Sequence, residues 1–84
     1  MFWGTWLNID GAYNPRYPAF EIEAESIAEA TEMQAKERGS KVIFQNAAIA
    51  ILDVKTIKKT KAKYIEDIRR LAITDAPLIP QQGV

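Results

Sequence analysis

The hydrophobic pattern changes period at Ser26, and that change constrains the fold more than any other feature of the chain. Phe20, Ile22 and Ala24 alternate with Glu21, Glu23 and Glu25. A period of two is expected of a strand with one face in a core and one in water. From Ser26 onward the spacing is helical. Ser26 and Glu29 stand at capping-box spacing, in which each side chain satisfies a backbone N–H at a helix start. A strand over 19–25 therefore feeds directly into a helix over 27–38. Glu29 lies near the positive end of the helix dipole, and Lys36 and Arg38 near the negative end. Glu32 and Lys36 form an i, i+4 pair. Gly39 can take the left-handed conformation that closes the helix. Ile27, Ala30 and Met33 or Gln34 make a narrow apolar stripe.

Around this junction the other elements are read more simply. Residues 2–9 read as a first strand, rich in aromatic and β-branched residues. Asp10-Gly11 signals a turn, and Pro15 and Pro18 make 12–18 a loop. The first two strands then pair antiparallel. Lys41-Val42-Ile43-Phe44 reads as a third strand. Residues 47–54 suit a buried strand after a turn at Gln45-Asn46, or a buried helix capped by Asn46; the strand is favoured. Over 60–73, Tyr64, Ile65, Ile68, Leu71 and Ala72 fall at helical spacing, which predicts a second, amphipathic helix. The order is β-β-α-β-(β)-α. The expected fold is α+β, a small antiparallel or mixed sheet with two helices on one face. One domain spans 1–76, and 77–84 is an extended tail.

Composition narrows the chemistry. A chain of 84 residues buries only about 60% of the surface its unfolded form exposes. Small domains therefore lean on disulfides, metals or association. With no cysteine and no histidine, a disulfide is impossible, and zinc, haem and iron–sulfur sites lack their ligands. Self-association is the remaining aid and is expected. The absence of histidine also removes the commonest general base at neutral pH. Ser26 and Ser40 are explained by helix boundaries, and the scattered glycines form no phosphate loop. No enzyme, cofactor or metal is expected. No apolar run approaches the ~20 residues of a membrane span, and residues 1–6 lack the pattern of a signal peptide. A cytoplasmic protein without a membrane partner is expected.

Two sets of residues are candidates for binding. The first is aromatic: Trp3, Trp6, Tyr13 and Tyr17, types enriched at binding hot spots. Trp3 and Trp6 lie on opposite faces of a regular strand, or both fill a core around a bulge at Gly4. The second set is basic: Lys55, Lys58, Lys59, Lys61 and Lys63, with Arg69 and Arg70 beyond, a pattern suited to phosphate. The same lysines also suit an ordinary charged face, and zero net charge argues against nucleic acid. Glu21, Glu23 and Glu25, roughly 6.5–7 Å apart on one strand face, read either as an acidic stripe or as a solvated face.

The pattern Phe20-x-Ile22-x-Ala24-x-Ser26-x-x-Glu29-Ala30, followed by a short strand at Val42–Phe44, resembles the strand–helix–strand plan of short phage-encoded accessory proteins, including some anti-CRISPR proteins. The resemblance covers about residues 19–44. It implies a protein that acts by binding a larger machine, in the host cytoplasm, and it carries over no site residue. The leading expectation is a small non-enzymatic binding or inhibitor protein with a protein partner. The alternative is nucleic-acid binding through residues 55–63.

Overall fold

The computed structural model describes residues 1–59, 61 and 63–78, with Lys58, Lys59 and Ile65 described by backbone alone. Five strands and one helix follow in the order β1 (Phe2–Leu7), β2 (Phe20–Ile22), α1 (Ile27–Arg38), β3 (Lys41–Gln45), β4 (Ala50–Lys59) and β5 (Tyr64–Thr74). The strands form one sheet in the order β2-β1-β5-β4-β3, and every pairing is antiparallel.

The expected α+β fold with two helices is thereby overturned. The described residues contain a single helix, and the segment read as the second helix is the central strand β5. Its neighbours explain the misreading. Leu71 lies opposite Trp6 and Leu52, and Ile73 opposite Gly4 and Ala50. Ala72 lies opposite Thr5 and Ile51 on the other face. Leu71, Ala72 and Ile73 are all fully buried. Residues 71–73, covered on both faces, lose their polar alternation, and in the sequence Ile65, Ile68 and Leu71, three apart, imitate a helical stripe. The segment 47–54 is strand from Ala50 onward. Asn46 begins the turn before it, its Oδ1 accepting from the N–H groups of Ala48 (2.8 Å) and Ile49 (2.9 Å).

The helix starts at Ser26 as expected, but β2 ends at Ile22, so the strand expected over 19–25 is shorter and residues 23–25 link it to the helix. The Ser26 Oγ accepts from the Glu29 N–H at 3.1 Å. The reciprocal bond falls one residue early, the Glu29 carboxylate accepting from the N–H of Glu25 at 3.2 Å. Gly39 closes α1 in the left-handed region at φ 58°. Ile27, Ala30, Thr31 and Gln34 are the buried face of the helix, which packs across β3, β4 and β5. Under it lies the core of Trp6, Ile22, Ile27, Ala30, Ala50, Leu52, Val54, Leu71 and Ile73. Among the described residues the opposite face carries no helix. There, Pro77 and Leu78 run against β1, with the Leu78 N–H donating to the Thr5 hydroxyl at 3.0 Å. The rest of the expected tail, from residue 79, lies outside the described residues.

β1 is regular through Gly4, so Trp6 enters the core while Trp3, on the other face, is half-buried. Gly4 is needed for close approach. A Cβ there would stand 2.5 Å from Cζ of Phe20 and 3.1 Å from Cδ1 of Leu71. Gly4→Ala should therefore displace the Phe20 ring and cost about 1–3 kcal/mol. Ser26→Ala should cost about 0.5–2 kcal/mol through loss of the cap. Urea unfolding midpoints check both, and an unshifted midpoint for Gly4→Ala would mean that Phe20 moves freely.

Candidate functional site

β4 and β5 outrun their neighbours. β3 pairs with β4 only as far as Asp53, and β1 with β5 only as far as Arg70. Beyond these points, residues 54–59 and 64–69 pair with each other, from Val54 opposite Arg69 to Lys59 opposite Tyr64. The result is a two-stranded ribbon about 20 Å long at ~3.4 Å per residue. A side-chain tie also spans it, the Thr56 hydroxyl donating to the Asp67 carbonyl at 3.2 Å.

All five lysines of the basic set lie on this ribbon or its tip. Lys55, Lys58 and Lys59 are in β4, and Lys61 and Lys63 lie between the strands, both exposed. The side chains of Lys58 and Lys59 fall outside the described residues. Lys55 meets Glu66 at 3.4 Å, with both side chains more than half exposed. Such a pair contributes about 0–1 kcal/mol and leaves both groups in water. Ile57 and Tyr64 are 62% and 69% exposed on the same ribbon. Arg70 is set apart: it lies at the edge of the body opposite Asp53, 3.4 Å from its carboxylate.

Zero net charge conceals a division in space. Residues 54–69 hold six basic and two acidic side chains, whereas the rest of the chain holds five basic and nine acidic. The acidic residues Glu29, Glu32 and Glu37 are exposed on α1. Glu21 is exposed on β2, but β2 ends at Ile22. Glu23 and Glu25 therefore sit in the link to the helix, and the three glutamates do not form one strand row.

The four aromatic candidates are not gathered on one surface. Trp6 and Tyr17 lie on the helix-covered face with ring centroids 6.2 Å apart. Trp3 lies on the other face, and Tyr13 forms a bridge opposite Leu7. Trp6 serves instead as a platform within the protein. The guanidinium carbons of Arg38 and Arg69 each stand 5.0 Å from its ring centroid. Arg69 also lies 4.0 Å from the Tyr17 ring centroid. Sequence reading missed this arrangement because Arg69 looked like one more charge on a helix.

At the root of the ribbon, where the loop after β1 meets β5, is a groove of about 490 Å³. Its walls include Asn14, Arg16, Tyr17, Asp67, Ile68 and Arg69. Among the described residues no group of acidic side chains is placed to hold a metal ion, and no helix is long and apolar enough to cross a membrane. Comparisons with known protein families, with curated proteins and with solved structures gave no match.

The stacked arginine should matter for stability in a way that the exposed lysine does not. Cation–π contacts contribute about 0.5–2 kcal/mol each, more when desolvated. Arg69→Ala should cost roughly 1–3 kcal/mol, and Lys55→Ala should stay within about 0.5 kcal/mol of the parent. Equal denaturation midpoints for the two variants would contradict this ranking.

Proposed function

We propose that this chain is a non-enzymatic binding protein that grips nucleic acid with the β4–β5 ribbon. One observation carries the reading: a narrow, basic, two-stranded ribbon projects from a body of opposite charge. A ribbon of two strands fits the major groove of a duplex, which is about 12 Å wide. Lysines along it can neutralise phosphates and release counterions. The exposed ring of Tyr64 offers a stacking surface for an unpaired base. Acidic charge on the body favours one orientation, ribbon first, towards a polyanion. A zero overall balance is compatible with this, because an approaching phosphate chain meets the local field of the ribbon.

Binding of a protein partner through the aromatic set finds less support, since Trp6 is buried and Trp3 faces the other way. The exposed Ile57 and Tyr64 favour a second reading in which the ribbon enters a groove on an acidic protein.

Titration with labelled single- and double-stranded oligonucleotides separates the two. Nucleic-acid binding should appear near the micromolar range at physiological salt. With two or three phosphate contacts, log K should fall against log salt with a slope of about −2 to −3 on duplex, at −0.9 per contact. Lys58→Glu with Lys61→Glu should abolish binding and leave thermal unfolding unchanged, because both positions lie away from the core. Affinity weaker than about 100 μM, the weak end of nonspecific binding, would overturn this reading in favour of a protein partner.

A further inference from the structure

We infer that the groove at the ribbon root is a binding site for a phosphate ester of small-molecule size, held by Arg69 and Arg16. Arg69 is the reason. Its side chain is only 16% exposed, yet its nearest acidic partner, Asp67, holds a carboxylate oxygen 3.9 Å from Nε. That distance is too long for a hydrogen bond. The Nε itself is buried and has no hydrogen-bond partner. The buried Nε is closed to a groove ligand, so an anion would meet the rest of the guanidinium, supplying the close charge partner that Asp67 at 3.9 Å does not. The rings of Tyr17 and Trp6 hold the guanidinium carbon 4.0 and 5.0 Å from their centroids, and a guanidinium so restrained suits the recognition of phosphate.

The other walls fit the same ligand class. Arg16, exposed, supplies a second cation to the groove. Asn14 is buried, and its Oδ1 accepts from the Arg16 N–H at 3.1 Å. That bond fixes the backbone on which Arg16 sits. Ile68 and Tyr17 give apolar surface for an organic group. A volume of about 490 Å³ lies within the usual 300–1,000 Å³ of small-molecule sites, and it exceeds what inorganic phosphate needs. The chemistry that fits is a phosphate with a flat or apolar substituent, as in a nucleoside monophosphate. Asp67 is the one acidic group on the walls, and it opposes binding while holding Arg69 in reserve.

The site is separate from the ribbon lysines, and so is its test. A nucleoside 5′-monophosphate is titrated into the protein, with tryptophan fluorescence as readout because Trp6 touches Arg69. Inorganic phosphate and a small carboxylate serve as comparison ligands. Saturable binding in the micromolar to low-millimolar range is expected, tighter for the nucleotide than for phosphate and weakest for the carboxylate. Arg16→Ala should weaken it several-fold without altering the fold, since Arg16 is exposed. Asp67→Asn should tighten it several-fold, an effect that a purely structural role for Arg69 would not produce. Lys58→Glu with Lys61→Glu should leave it unchanged, which keeps this site distinct from ribbon binding to oligonucleotides. No saturation by ten millimolar nucleotide, equal affinity for all three ligands, or indifference to both Arg16→Ala and Asp67→Asn would overturn the inference.

Discussion

Strand β5 is paired along its length with β4 and at its end with β1, and the rest of the molecule is arranged around that double pairing. From Arg70 to Ile73 it has a strand on each side. From Tyr64 to Arg69 it has only β4. The first stretch is the centre of the sheet and supplies Leu71 and Ile73 to the core. The second is half of the ribbon. The change between them comes at Arg69 and Arg70, where the sequence turns from apolar to charged. Body and arm are thus two parts of one ladder, and the arm is held by hydrogen bonds that continue into the core.

Local signals in the chain were legible where the structure depends on neighbours close in sequence. The cap at Ser26 and the stop at Gly39 are of this kind, each resting on contacts within a few residues. The segment from 60 to 73 depends on Trp6, Thr5, Leu52 and Ile51, far away in the chain. Pairing with them overrode a pattern that satisfied helical spacing, as tertiary context does when an apolar run is short and covered on both faces. The bulge considered at Gly4 is absent, and the irregularity lies instead in β3, between Val42 and Phe44.

The candidate site divides the same way. The lysines were visible as a group because they are close in sequence. Their charge was discounted because acidic residues elsewhere cancel it, and a sequence sum cannot show that nine of the eleven acids stay on the body while the lysines leave on an arm. The groove was invisible. Arg16 and Tyr17 are brought to Arg69 only by the loop after β1. That loop is folded back by Asn14, whose N–H donates to the Trp6 carbonyl at 3.0 Å.

This loop also bears on why the arm can project at all. A two-stranded ribbon alone is marginally stable in water. It needs an anchor where it leaves the sheet. On the helix-covered face that anchor is Val54 opposite Arg69, with Val54 in the core and Arg69 laid on Trp6 and Tyr17. An aliphatic residue at 69 would cover the ring but would carry no charge into the groove. A lysine would carry the charge but not the flat group that stacks. Arginine does both, so the residue that secures the root of the arm is also the one that presents a cation beside it. Structural and binding roles are therefore joined at Arg69. The variants that separate them lie on its neighbours Arg16 and Asp67, where the groove changes and the stack remains.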